Sequence, residues 1–322
     1  MRKIPAIHDG IMYSGCMLLS AVIAFTFLGV QASMWAAFST LYAFNLFNAA
    51  KEYKNYLYTA FWLAMIMLSI FIGDTLRLGT SFYIYLAVFS FVYYQLYGTD
   101  PVMDLTMKFM IIMSTIGTIL PDISESLALG FLIGSSVTLI IYYIFSKKAH
   151  QHPIVTGSLI EQNLFTLRKH IIPRSMTYTI GLLLTIAIPR MLEFGHFYWT
   201  LLTFVFVLHP KSEGIVHITF QRVIGSLLSV VLLYFLFNTP LMPYIGLVSI
   251  ILFAFLMPMS SHHGYTFMTF VVTSLILSII ELVIYWGHPA YVLLFDRVTE
   301  TALGGGIAIL ISIILKLFRD AK

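Results

Sequence analysis

The stretch ISESLALGFLIGSSVTLIIYYIF (residues 123–145) decides the fold class of this chain. It carries one charged side chain, Glu125, which lies near its start, and everything after Glu125 is apolar, small or hydroxylated. A helix crosses a bilayer with about 20 predominantly apolar residues, whereas a membrane β-strand needs short segments of alternating polarity. The stretch therefore predicts a transmembrane helix.

The rest of the chain has the same character. Of its 322 residues, 59% are hydrophobic and 10% are charged, and the mean hydropathy is +0.91; soluble proteins carry about 25% charged residues. Lipid is therefore the expected solvent, and we predict an all-α polytopic membrane protein of about 12 transmembrane helices. The predicted helices are 9–29, 33–47, 56–73, 81–96, 103–120, 123–145, 175–191, 197–208, 223–237, 242–257, 265–286 and 292–318.

Lysine and arginine predict the orientation. With an even number of helices, the loops on the side of the N-terminus carry nearly all the basic residues, and the opposite loops carry Arg77 and Arg190. Basic loops face the cytoplasm, so both termini are predicted to be cytoplasmic in the cell (inner or plasma) membrane. The formal charge of +4 accordingly indicates topology and not binding to nucleic acid.

Two landmarks recur along the chain and indicate an internal repeat. Trp35 and Trp199 each open a predicted helix. The segment ISESLALG (123–130) is similar to VTETALGG (298–305), which aligns Glu125 with Glu300 at a constant offset. We predict two parallel six-helix repeats. Their predicted ranges are 1–146 and 175–322, and 147–174 forms a basic cytoplasmic linker between them.

The strongest cluster of charge within a predicted span is Asp296, Arg297 and Glu300. Charged groups at membrane depth are unfavourable unless they are paired or hydrated, which makes them functional candidates. The i, i+3 spacing of Arg297 and Glu300 predicts an ion pair on one helix face. The glycines at 304–306 allow close helix approach or local unwinding. This pattern favours a substrate or proton site; the alternative is an ion pair that anchors the helix at the outer interface.

Five further residues are candidates for binding a solute or a proton. Glu125 and the nearby Asp122 are candidate proton carriers, provided that their carboxylates are buried. Glu281 lies in a predicted helix without a neighbour of opposite charge in the sequence. Arg222 and Lys211 lie at a predicted cytoplasmic turn, where basic groups attract anions or simply reflect the topology.

The sequence does not indicate an enzyme, a cofactor or a metal site. It contains no phosphate-binding glycine loop followed by lysine, no His-Glu-x-x-His and no nucleophile elbow. Cys16 is the only cysteine, and His150 and His152 have no carboxylate or thiolate neighbour. Asp104 and Lys108, spaced i, i+4, predict an interfacial ion pair.

Three motifs give the sequence a resemblance to a known family. They are YWTLLT (198–203), VLHP (207–210) and QRVIGS (221–226), and the segment 297–305 adds a fourth point of similarity. Over roughly the second half, the chain resembles the fusaric acid resistance family, which includes aromatic acid exporters and is related to plant malate transporters. Better-known members carry large cytoplasmic domains between and after the helical units, whereas only 147–174 lies between them here.

The resemblance implies a transporter. Its implied partners are a small organic anion, protons and the bilayer, with a homodimer as a candidate assembly. The leading hypothesis is a proton-coupled exporter of aromatic carboxylic acids, in which Arg222 and Lys211 gather the anion, Arg297 contacts it within the membrane and Glu300, with Glu125, exchanges protons. The alternatives are an anion channel and a membrane scaffold subunit that transports nothing.

Overall fold

A computed structural model describes residues 4–50, 56–120, 125–145, 168–211, 213–239, 241–284 and 291–320. These residues form α-helices with no β-strand among them. The helices are α1 (Ile4–Leu28), α2 (Val30–Ala49), α3 (Tyr56–Leu76), α4 (Thr80–Leu96), α5 (Pro101–Gly117), α6 (Glu125–Phe145), α7 (Ile172–Met191), α8 (Tyr198–Val207), α9 (Ile215–Phe237), α10 (Met242–Ser260), α11 (Tyr265–Ile284) and α12 (Tyr291–Asp320).

Seven of the described helices are long and apolar enough to cross a membrane: α1, α3, α6, α7, α9, α11 and α12. The predicted all-α polytopic membrane fold is confirmed at this level. The predicted short helix at 197–208 is also short in the structure, where α8 covers Tyr198–Val207.

One predicted helix boundary was clearly wrong. The helix expected at 223–237 begins at Ile215, because Gly214 (φ 63°) ends the preceding turn and helix formation starts directly after it. The first two turns of α9 contain His217, Gln221 and Arg222, and these polar residues hid the helix from a search for apolar runs.

The helices have a regular pattern of neighbours. In the first half of the chain α2 packs on α6, α3 on α5 and α1 on both α2 and α6; in the second half α8 packs on α12, α9 on α11 and α7 on both α8 and α12. Contacts between the halves follow the same interval: α4 contacts α7, and the helices six positions away from these two, α10 and α1, also contact each other. The same neighbours thus recur at an interval of six helices.

Close contacts between helix backbones fix a register between the two halves. A Cβ on Gly134 of α6 would collide with the backbone oxygen of Ala36, the residue after Trp35. A Cβ on Gly304 of α12 would collide with the backbone oxygen of Thr200, the residue after Trp199. The packing therefore makes Gly304 the counterpart of Gly134.

This register differs from the one that the sequence motif suggested. In the packing register the counterpart of Glu300 is Gly130, which lies against Ala32, three residues before Trp35. Glu300 likewise meets the residue three positions before Trp199, since it accepts a hydrogen bond from His196. Glu125 is therefore not the packing counterpart of Glu300.

Candidate functional site

Two arginines from neighbouring helices lie buried between α8 and α11. Arg297 of α12 is 2% exposed and Arg222 of α9 is 7% exposed. On α8 they contact Trp199, Thr203 and Phe206, whose spacing of four and three residues places them on one helix face.

Arg297 lies flat against an aromatic ring and leaves donors free. Its Cζ is 4.3 Å from the centre of the Trp199 ring, which is cation–π distance. Nη2 faces Oγ1 of Thr273 on α11 at 3.5 Å. Nε and Nη1 are buried and have no hydrogen-bond partner. Because a buried donor without an acceptor is unfavourable, these two nitrogens form the clearest unsatisfied feature of the site.

Arg222 is held in a similar way, further along the same helices. Its Nη1 donates to the Oη of Tyr265 at 2.9 Å and its Nε to Oγ1 of Thr203 at 3.4 Å. Its Cζ lies 5.4 Å from the centre of the Phe206 ring, and Nζ of Lys108 on α5 lies 5.7 Å from the same centre. Phe206 thus lies close to a cation from each half of the chain.

Glu300 is fully buried, one turn beyond Arg297 on α12. Its Oε1 accepts a hydrogen bond from the backbone N–H of His196 at 3.0 Å, and its Oε2 has no hydrogen-bond partner. Among the described residues, no ion pair joins Glu300 to Arg297. The predicted pair is therefore wrong, because the guanidinium lies against the Trp199 ring while the carboxylate accepts from the backbone N–H of His196.

His196 completes this end of the site. Its Nδ1 lies 2.8 Å from Oδ2 of Asp296, and both side chains are about one quarter exposed. His196, Asp296 and Glu300 each bring one potential ligand atom to within 4.8 Å of the others. The turn before α8 is thereby joined to α12 through two hydrogen bonds.

The remaining predicted site residues are separate from this cluster. Glu281 is fully buried in α11, whereas Lys211 is exposed in the turn between α8 and α9. Glu125 is exposed at the first residue of α6, so the burial that its predicted proton-carrying role requires is absent. Asp122 lies outside the described residues, as does most of the linker 147–174.

Two of the three consecutive glycines of α12 serve close packing. Helix α12 is continuous through 304–306, so the alternative of local unwinding is not observed. Gly304 packs on α8 at Thr200, and Gly305 packs on α9 at Thr219. Side chains larger than hydrogen would push α12 away and take Arg297 with it.

A pocket of about 860 Å³ opens at the opposite end of the bundle, beside the turn between α8 and α9. Its lining includes Arg174, Lys316, His209, His217 and Glu213. Burial, followed by the charges of Lys108 and Lys211, lowers the pKa of His209 from 6.5 to about 4. Among the described lining residues, the cations Arg174 and Lys316 outnumber the one carboxylate, Glu213, so the pocket carries more positive than negative charge.

The predicted ion pair of Asp104 with Lys108 is also absent within the described residues. Both carboxylate oxygens of Asp104 instead accept from the backbone N–H of Gly98, at 3.0 Å each. Lys108 lies near the rings of Tyr97 and Phe206, at 5.8 and 5.7 Å. It is left as a third inward-facing cation.

Sequence reasoning missed the residues that hold the arginines in place. Tyr265 and Thr273 on α11, eight residues apart, share a helix face, and this spacing was the available signal. His196 was hidden in a polar turn far from Asp296 in the sequence.

Comparison with known families gives a match over the part of the chain that contains the site. Residues 183–311 match the model of the family described as fusaric acid resistance protein-like, which confirms the resemblance found in the sequence. No curated protein and no solved structure matches the chain. The matched residues 183–311, which contain Arg222 and Arg297, are thus similar to the fusaric acid resistance protein-like family.

Proposed function

We propose that this membrane protein is a secondary exporter of organic anions such as aromatic carboxylic acids, coupled to the proton gradient. The observation that carries the proposal is the state of Arg297, which is 2% exposed, lies against Trp199 and has two unpartnered nitrogens. A carboxylate supplies acceptors for adjacent guanidinium donors. An aromatic ring bound to that carboxylate has Trp199 as a stacking partner.

A route for the anion follows from the other cations. Arg222 and Lys108 both lie near the ring of Phe206. The pocket with Arg174 and Lys316 lies at the same end of the bundle as the turn that carries Lys211. A cleft rich in positive charge raises the local concentration of anions. We assign the pocket and Lys211 to collecting the anion, and Arg222 to the step between the pocket and Arg297.

Proton exchange is assigned to Glu300. Its carboxylate is fully buried and one oxygen makes no hydrogen bond, as expected of a membrane carboxylate with a functional role. Glu125 is not included, because it is exposed.

We also propose the finer topology on which this route depends. The recurrence of helix neighbours at an interval of six supports two parallel six-helix repeats, 1–146 and 175–322, related by an axis along the membrane normal. The distribution of lysine and arginine supports cytoplasmic termini. In this orientation the charged pocket faces the cytoplasm and His196 faces outwards, as an exporter requires.

The experiment measures efflux of aromatic carboxylates from proteoliposomes under an imposed pH gradient. Arg297→Gln is expected to reduce flux roughly 10- to 100-fold, since a hydrogen bond to a charged group contributes about 1.5–3 kcal/mol. Glu300→Gln is expected to abolish proton-driven flux with expression intact. Arg190→Gln, an exposed arginine, is the control. Unchanged flux in Glu300→Gln would remove Glu300 from the mechanism, and no flux in the wild type would favour a scaffold.

An anion channel is the second candidate. It is favoured by one observation: Lys108, Arg222 and Arg297 lie inside the bundle, and no ion pair neutralises them within the described residues. A channel would show conductance without proton coupling, with selectivity set by Arg297. Recordings in planar bilayers distinguish the two candidates.

A further inference from the structure

Three metal-ligating side chains meet where the turn before α8 contacts the first turns of α12. They are His196, Asp296 and Glu300, and one potential ligand atom of each lies within 4.8 Å of the other two. The imidazole Nδ1 and the Asp296 carboxylate are already in contact at 2.8 Å. These residues show no metal-binding motif in the sequence because they converge only after folding, and His196 and Asp296 are 100 positions apart.

We infer that His196, Asp296 and Glu300 form a binding site for a divalent transition-metal cation of the zinc class. Zinc takes imidazole nitrogen and carboxylate oxygen at about 2.0–2.2 Å, and three protein ligands with a water molecule are a common set. Tetrahedral geometry at these bond lengths places ligand atoms about 3.3–3.6 Å apart. From their present spacing of at most 4.8 Å, the three ligand atoms would need only small side-chain adjustments to adopt this arrangement.

The ligand types also discriminate between cations. Calcium and magnesium require six or more oxygen ligands or a largely intact hydration shell. An imidazole beside two carboxylates instead suits zinc and its first-row neighbours. The probe that fits the site best is therefore Zn²⁺.

The buried carboxylate of Glu300 gives a second observation, separate from the spacing of the three groups, that also points to a bound cation. Its Oε1 is fixed by the backbone N–H of His196, while Oε2 is buried without any hydrogen-bond donor. A buried acceptor of this kind carries its full desolvation penalty. Arg297 does not relieve it, since its guanidinium stacks on Trp199 and forms no ion pair with Glu300.

Binding would join two segments that otherwise meet through hydrogen bonds. The cation links the turn 192–197 to α12, which carries Arg297 on the same turn as Asp296. It would thereby hold the outer end of the site in one arrangement. The binding site itself does not depend on the proposed transport activity.

Calorimetric titration of the purified full-length protein with Zn²⁺ tests the site. We expect one Zn²⁺ per chain, and at least about tenfold weaker binding in His196→Ala and in Asp296→Asn, because even supporting groups around a metal contribute 10- to 100-fold. His263→Ala is the matched control, since His263 is exposed at the other end of the bundle. Equal binding by the wild type and His196→Ala would overturn the inference, as would equal weakening by His263→Ala.

A second measurement uses the wild-type protein alone, so it does not depend on whether a variant folds. Co²⁺ bound by the wild type is expected to show the strong visible absorption of a four- or five-coordinate ion, and Zn²⁺ should remove it. Weak bands of hydrated six-coordinate Co²⁺ would overturn the site.

Measuring both the flux and the Zn²⁺ binding of the same protein separates this inference from the proposed function. Zn²⁺ binding at His196 in a protein without flux would overturn the function and support the site. Flux in a protein that does not bind Zn²⁺ would do the reverse.

Discussion

The Cζ of Arg297 lies 4.3 Å from the centre of the Trp199 ring, and this contact joins α12 to the face of α8 that also holds Arg222. The counterpart of Trp199 in the first half is Trp35, which is 6% exposed and has no described arginine or lysine over its ring. Both tryptophans are buried, but only Trp199 contacts a described cation. Comparing the two therefore distinguishes the effect of packing from the effect of the cation contact.

Trp199→Leu is expected to weaken the apparent affinity for aromatic carboxylates about 2- to 30-fold, because a cation–π contact contributes about 0.5–2 kcal/mol and the stacking surface is lost with it. The concentration dependence of flux in proteoliposomes measures this. Trp35→Leu removes a similar volume and should leave the affinity unchanged. Equal effects of the two variants would show that Trp199 acts by packing alone.

Gly304→Ala is expected to destabilise the protein by roughly 1–3 kcal/mol, as is usual for overpacking, because the new Cβ would meet the backbone oxygen of Thr200. Gly306→Ala is the matched control on the same helix, where a Cβ meets no atom within 4 Å. Thermal unfolding in detergent should separate the two, with Gly304→Ala well below the wild type and Gly306→Ala at or above it. The reverse order would contradict the close packing of α12 on α8.

His209 is expected to make stability depend on pH. Its pKa of about 4 in the folded protein lies below the unfolded value of 6.5, so its stabilising contribution is complete above about pH 6.5 and is lost as the pH falls towards 4. The ring stacks on Tyr97 at 5.2 Å, with Nδ1 2.9 Å from the Tyr97 Oη. Between pH 7 and 5 the wild type should therefore lose more free energy of unfolding than His209→Gln.

The control for this pH dependence is His263→Gln, which changes an exposed histidine and should retain the wild-type slope. Denaturant unfolding at several pH values gives the comparison. Parallel curves for wild type and His209→Gln would contradict the buried neutral imidazole.

The single cysteine offers a direct test of orientation. Cys16 is fully buried, so the wild type should not react with a membrane-impermeant maleimide. Glu193→Cys, between α7 and α8, should react in intact cells, whereas Lys211→Cys, between α8 and α9, should react only after permeabilisation. Both parent residues are exposed. The opposite pattern would place the charged pocket outside and would reverse the proposed direction of export.

The sequence predicted the helices well because the driving force is local. An apolar run of sufficient length in lipid has no alternative to helix, so α6 and α12 were predicted close to their observed bounds. The start of α9 failed for the same reason, since its first turns are polar and are not recognised by hydropathy.

The contacts between neighbouring helices were not predictable from the spacing of residues along one helix. The i, i+3 relationship placed Arg297 and Glu300 on one face, but the side chains are drawn to different partners, Trp199 and the N–H of His196. Such choices depend on how neighbouring helices are rotated, and a single sequence does not encode that rotation in any short-range pattern.

The comparison of the two similar motifs shows the same limit. Sequence similarity aligned Glu300 with Glu125, whereas the packing of the helices aligns Glu300 with Gly130. In the first half, this position is a close contact between α6 and α2. In the second half, the same position holds a carboxylate, so the candidate site occupies a place that the other half uses for packing.

The two arginines beside α8 also suggest how to find the solute that this protein carries. Within the described residues, neither arginine forms an ion pair with a carboxylate, so an anion that binds them should shift the melting curve upward as its concentration rises above its dissociation constant. Screening small acids by thermal shift thus requires neither a transport assay nor a prior guess at the cargo.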